Sequence, residues 1–191
     1  MKALKVLLVQ SENPDRLLEK DLLDNNYALV GKTRDTINFQ ISTGENSPDI
    51  VIFDIRIPTQ QILKKIREIN QLNSMPVIIF AVDNDTKTIN KVIKSGASAY
   101  IVDGLVTGRI KTIIEIALAR FQEQQKLKNE LKKTKTQLEE RKLIDQAKGI
   151  LIKTRNFNED EAYHMLRKLA MERGLPMGEM AKNVISMAEL L

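Results

Sequence analysis

Residues 1–118 alternate short apolar runs with amphipathic stretches. Leu4–Val9, Ile50–Phe53, Val77–Val82 and Tyr100–Val102 are rich in β-branched residues and bounded by Pro, Asp, Asn or Gly. Runs with no polar alternation are what strands buried on both faces require, and such strands belong to parallel sheets. Between them, residues 14–25, 60–70 and 87–95 carry helical spacing, as in Ile62, Ile66 and Ile69. A weaker strand at Ala28–Lys32 completes the set. The rhythm predicts an α/β domain whose helices cover both faces of a five-stranded parallel sheet.

From Gly108 to Thr154 the chain has no proline and, after Gly108, no glycine but Gly149. One long helix is the economical reading. Ile110, Ile114, Ala117 and Phe121 form one heptad stretch, and Leu127, Leu131, Thr134 and Leu138 form another. The step from Phe121 to Leu127 is one residue short of a heptad, so the seam is displaced there. A parallel homodimer through this coiled coil is expected, although the first stretch can instead pack on the preceding domain. Asn158 with Glu161 three residues later is a capping box opening a second helix, which Gly174 closes at the C′ position. Pro176 suits a first helical turn, and Met180, Val184, Met187 and Leu191 space a third helix from Met177 to Leu191. The expected organisation is a first domain over 1–118, a coiled-coil linker over 119–140 and a three-helix domain over 141–191.

Composition narrows the chemistry. No apolar run spans a bilayer, and the N-terminal stretch lacks a small-residue cleavage site, so a cytoplasmic protein without a membrane partner is expected. The chain has no cysteine and one histidine, which removes disulfides, thiolate sites and histidine metal clusters. Net charge is +5, unevenly spread: 14 Lys/Arg oppose 13 Asp/Glu over residues 1–110, but 11 oppose 5 from Arg120 to Arg155. That second stretch is either a solvated helix surface or the seat of a polyanionic partner.

Asp54 ends the Ile50–Phe53 strand, at the carboxyl edge of the sheet where such folds place their chemistry. With Pro58, Pro76 and Gly96-Ala97-Ser98-Ala99-Tyr100, this segment resembles response-regulator receiver domains, implying a flavodoxin-like (CheY-like) fold over residues 4–118. The resemblance makes Asp54 the candidate phosphoacceptor, in a degraded site. An aspartyl phosphate needs a divalent cation held by acidic groups, because like charges must be brought together. Where receivers carry an acidic pair, this chain has Gln10 and Ser11, with Glu12 displaced by one; Ala81 replaces the sensing hydroxyl, and Asp103 the pairing lysine. A carboxylate at the last position repels phosphate. Mg²⁺ is therefore not expected at this site, no other cofactor or metal is implied, and a pseudo-receiver switched by a protein partner is the reading.

From Leu131 onward the chain resembles the ANTAR domain of transcription antitermination regulators. The matching residues are Ala147-Lys148-Gly149-Ile150-Leu151, Asn158 to Glu161, Glu161-Ala162-Tyr163, Leu166-Arg167 and Ala170-Met171. The run Ala99 to Leu105 is similar to nitrate-assimilation members of the NasT type. In the second helix Ala162, Leu166, Leu169 and Ala170 make an apolar face able to pack on Ile150 and Leu151, while Tyr163 and Arg167 sit four apart on a neighbouring face. A ring beside a guanidinium suits unpaired bases, and Arg141, Lys148 and Lys168 suit phosphates. Gly149 costs roughly 1 kcal/mol relative to Ala and so points to close approach of a helix or of RNA backbone. Spacing alone equally allows Tyr163 as a rim residue, Arg167 pairing Glu159 or Asp160, and Lys148 pairing Asp145. His164 reads as a surface or packing residue, and Met165, Met171, Met177, Met180 and Met187 as core or subunit contacts.

The resemblance implies a non-enzymatic antiterminator that stabilises an RNA hairpin in a leader transcript, with an inhibitory sensor protein as a further partner. A DNA-binding regulator with a C-terminal helix-turn-helix is the alternative. Its recognition helix would offer only Lys182 and Asn183 against Glu179 and Glu189. An interaction-only scaffold is a third.

Overall fold

The structure is a computed structural model describing residues 3–11, 16–102 and 108–189. The chain divides into two compact units, Met1–Gln125 and Lys126–Leu191. Glu12, the 103–107 segment with Asp103, and Leu190 and Leu191 lie outside the described residues, so the expectations that rest on them have no structural counterpart.

In the first unit the strands are β1 (Lys5–Gln10), β2 (Ala28–Thr33), β3 (Ile50–Asp54), β4 (Val77–Ala81) and β5 (Ala99–Val102). All neighbours pair parallel in the order β2-β1-β3-β4-β5. This is the five-stranded CheY-like sheet, and its strands are buried on both faces as the unbroken apolar runs require. Val6, Leu8, Ile50, Ile52, Ile78 and Phe80 point to one face, which α1 (Arg16–Asp24) covers with Leu18 and Leu22. Ile110, Ile114 and Ala117, at the start of α4 (Ile110–Arg155), cover the same face and are fully buried. Three residues of the first heptad stretch thus pack on their own sheet, while Phe121 is half-buried and Leu127, Leu131 and Leu138 of the second stretch are exposed. Leu7, Val9, Val51, Phe53 and Ile79 point to the other face, under Ile62, Leu63 and Ile66 of α2 (Gln60–Glu68) and Val92 of α3 (Thr86–Lys94).

Two local features depart from simple periodicity. After α2 the chain widens into a π-helical turn over Ile69–Asn73, ended by Ser74 at φ 47°, which brings Ile69 into the core. Asn70 in that turn donates to the carbonyls of Ile66 and Gly96 at 3.0 and 2.9 Å. Gly96 holds φ +103°, and a Cβ there would lie 2.7 Å from the Asn70 amide nitrogen, so both backbone and space require glycine. Between β2 and β3 the crossover has no α-helix, only a 3₁₀ turn at Gly44–Asn46. Its Asn, Ser, Thr, Gly and Pro residues favour turns over helix. Phe39 from this segment fills the sheet face instead, edge-on to Phe53 at 6.0 Å with the Lys65 ammonium 4.7 Å from its ring.

In the second unit the end of α4 meets α5 (Glu159–Glu172) and α6 (Met177–Glu189). Helix α4 stops at Asn156, which takes φ 55°. The capping box opens α5: the Asn158 side chain accepts from the Glu161 N–H and the Glu161 carboxylate accepts from the Asn158 N–H, both at 2.9 Å. Gly174 at φ +62° ends α5, and Leu175 N–H returns to the Ala170 carbonyl at 2.9 Å. The core joins Ala147 of α4, Leu166 and Ala170 of α5, and Met180, Ala181 and Ile185 of α6, with Ile150, Leu151 and Leu169 partly buried beside them. The alanines let three helices approach closely. Among the methionines, Met180 is buried, whereas Met171 is 73% and Met187 55% exposed, so neither is a core residue of its own chain.

Candidate functional site

At the carboxyl edge of the sheet, β1 and β3 are in register with Gln10 opposite Asp54. The buried Gln10 amide donates to the Asp54 carboxylate at 3.2 Å, and Ser11 N–H donates to the Asp54 backbone carbonyl at 2.9 Å. Among the described residues Gln10 Oε1 is buried without a hydrogen-bond partner. A neutral amide thus occupies the place next to Asp54 where an acidic residue would gather cation charge. Ala81, buried at the end of β4, offers no hydroxyl. Among the described residues no group of three acidic or histidine side chains converges to hold a metal. Among the described residues the donor set here does not fit a divalent cation. Farther along the edge, the Tyr100 hydroxyl donates to the Asp83 carbonyl at 2.7 Å. Burial, with the Asp83 charge adding to it, pushes the Tyr100 phenol up to about 12.

In the second unit, the apolar face of α5 turns inward and sets the opposite side. Tyr163, Arg167 and Met171 follow at steps of four, so they form one row, and all three are exposed. The Tyr163 ring is 40% exposed and lies edge-on to the His164 imidazole at 6.0 Å. Glu159 heads the same row one turn earlier. It reaches across the interhelical turn to Lys148, whose ammonium sits 2.9 Å from Glu159 Oε1 and 2.8 Å from Asp145 Oδ1. Only 14% of the Lys148 side chain is exposed. Hydrogen bonds donated to Asp145, then to Glu159, hold the ammonium above the usual lysine range, and accepting from Lys148 draws the Asp145 carboxyl down.

The sequence-derived candidates therefore occupy different settings. Lys148 lies at the head of the Tyr163–Arg167 row, but as a clamp between α4 and the first turn of α5. Arg141 is exposed two turns earlier on the same face of α4. Lys168 is exposed, 3.9 Å from Glu172. Among the described residues, no atom beyond its own helical turn lies within 4 Å of where a Cβ on Gly149 would stand, so close approach of another described helix does not explain it. Two members went unread in the sequence. Spacing offers Arg167 a partner in Glu159 or Asp160, whereas the Glu159 pair with Lys148 bridges two helices and no helical spacing predicts it. Met171 gave the pattern of a contact residue, and only its exposure places it on the row.

Two family models match the chain: the response regulator receiver domain over residues 6–115 and the ANTAR domain over 132–185. The chain belongs to the ANTAR-domain response regulators. This regulator is 27% identical over 182 residues to the transcriptional regulatory protein PdtaR of Mycobacterium tuberculosis, covering 95% of this chain and 89% of that protein. It is 34% identical over 80 residues to the nitrate regulatory protein of Klebsiella oxytoca, covering 42% of this chain and 20% of that protein. Among solved structures, the receiver domain of a modulated diguanylate cyclase from Desulfovibrio desulfuricans superposes with TM-score 0.52 at 17% identity, over 64% of this chain and 99% of that one. That likeness carries the fold of the first unit. Both matched modules are regulatory, and among the described residues no helix is long and apolar enough to cross a membrane.

Proposed function

We propose that this ANTAR regulator acts in the cytoplasm by binding a hairpin in a leader transcript and stabilising it as an antiterminator, in control of nitrate or nitrogen assimilation genes. The observation that carries the reading is the exposed row Tyr163–Arg167–Met171, set on a helix whose opposite face is buried. An exposed ring followed one turn later by a guanidinium offers two planar surfaces on which splayed-out loop bases stack. Arg141 and Lys168 supply phosphate contacts, and the bare backbone at Gly149 leaves room for RNA to approach. Lys148 acts through Glu159, holding the start of α5 so that the row keeps its place. The first unit takes its signal from a partner protein, since the Gln10–Asp54 pairing does not suit cation-dependent phosphorylation.

The test is binding of the full chain to leader hairpins, with duplex DNA of the same sequence as comparison. Loss of one stacked base costs about 1–3 kcal/mol, so Tyr163→Ala is expected to weaken hairpin affinity by roughly 5- to 150-fold, and Arg167→Gln comparably. Wild-type affinity in both variants, or preference for the DNA duplex, refutes the proposal.

A further inference from the structure

Helix α5 carries the one histidine of the chain. His164 is exposed, and at about 100° per residue it lies on the side of the helix away from the buried Ala162, Leu166 and Ala170. Arg167, Lys168 and Met171 follow it by three, four and seven residues, so the four share the outward face. Tyr163 borders that face, its ring 6.0 Å from the imidazole with the two planes 71° apart. His164 therefore stands between the Tyr163–Arg167 row and Lys168. Two rings at so steep an angle form a corner, and a base stacked on the phenol turns its edge toward the imidazole N–H.

The charged groups around it come mostly from its own helix. Asp160 and Glu161 precede it by four and three residues. Glu161 is held at the helix start by the Asn158 N–H at 2.9 Å, and Lys168 lies 3.9 Å from Glu172. From α4, Lys148 meets α5 at Glu159, and from α6 no hydrogen bond or ion pair reaches α5 among the described residues. Among the described residues the Tyr163 ring is the one ring, hydrogen-bonding or ionic contact of His164, so its ring nitrogens are open to a ligand.

Imidazole is the side chain whose ordinary charge change falls between about pH 5 and 8. Neutral, it offers one N–H; protonated, it offers two and a positive charge. That charge stands beside those of Arg167 and Lys168, a repulsion that RNA phosphates cancel. Protonation and RNA binding then favour each other, by the same factor in both directions.

We infer that His164 is a nucleotide-contacting residue of the hairpin site and that its protonated form holds the RNA more tightly, so that affinity rises as pH falls. The inference rests on the hairpin-binding reading and adds to it a residue and a pH dependence.

The test is binding of the full chain to a pool of RNA stem-loops with randomised loops, at constant salt, between about pH 5.5 and 8. One hydrogen bond to a charged group is worth roughly tenfold in affinity or more, so wild-type affinity should rise by roughly tenfold across this window. His164→Gln keeps a polar side chain without the charge; its affinity should be flat and match wild type at the alkaline end. His164→Lys keeps a charge throughout and should bind tightly at both ends. Because His164 is exposed, both variants should keep the wild-type melting transition. A flat wild-type profile, or the same rise in His164→Gln, overturns the inference, and binding that is still weakened by Tyr163→Ala then leaves the hairpin reading standing. A wild type that binds no stem-loop at any pH overturns both.

Discussion

Leu166→Ala tests whether the second unit stands on its own core. Leu166 is fully buried in a cluster with Ala147, Ala170, Met180 and Ala181, and the three alanines have no side chain to swing into a vacated space. A buried Leu→Ala change costs about 2–5 kcal/mol, most where collapse is limited. At roughly 0.05–0.15 kcal/mol per residue, a unit the size of Lys126–Leu191 has roughly 3–10 kcal/mol in all. The substitution therefore removes a large share of its stability. At about 4–8 °C per kcal/mol for a domain of this size, a loss of about 3 kcal/mol lowers its melting transition by roughly 12–24 °C. Differential scanning calorimetry of the full chain should show that shift in one transition only, because the cores around Leu8 and around Leu166 share no residue. Met171→Ala, on the same helix but 73% exposed, should change stability by no more than about 0.5 kcal/mol. A shift below about 5 °C for Leu166→Ala, or equal shifts in both transitions, would refute the two-core account.

Lys148→Gln should leave the slope of log affinity against log salt for a hairpin unchanged, because the ammonium is already held by two carboxylates. Arg141→Gln should flatten that slope by about 0.7–0.9, the value of one phosphate contact. A Lys148 slope change as large as that of Arg141 would make it a phosphate ligand after all. With Mg²⁺ and beryllofluoride or acetyl phosphate, mass spectrometry and thermal shift should register no Asp54-dependent response, and one abolished by Asp54→Asn would overturn the pseudo-receiver reading. The Tyr100 phenol, raised to about 12 by burial and Asp83, gives a signed pH dependence. Its contribution to stability is intact below the free phenol value of about 10 and is lost as pH rises through the folded value. Denaturant midpoints should thus fall in that alkaline window, and fall less in Tyr100→Phe; identical profiles would contradict the assignment.

What depends on near neighbours is legible in the order of residues alone. Unbroken β-branched runs specified a parallel sheet, the Asn158–Glu161 spacing specified a helix start, and the four-residue steps of Leu166 and Ala170 specified the inward face of α5. These signals are local because backbone hydrogen bonding and side-chain period repeat every two to four residues. The tertiary structure alone decided which of two equivalent heptad stretches is spent. Ile110 and Ile114 look no different in sequence from Leu127 and Leu131, but only the former lie within reach of the sheet. It also decided the partner of Asp54 and the second partner of Lys148, beside the Asp145 that helical spacing already offers. Glu159 lies eleven residues from Lys148, and Gln10 forty-four from Asp54. Such distances are bridged only after the chain has folded and has brought α5 beside the end of α4 and β1 beside β3.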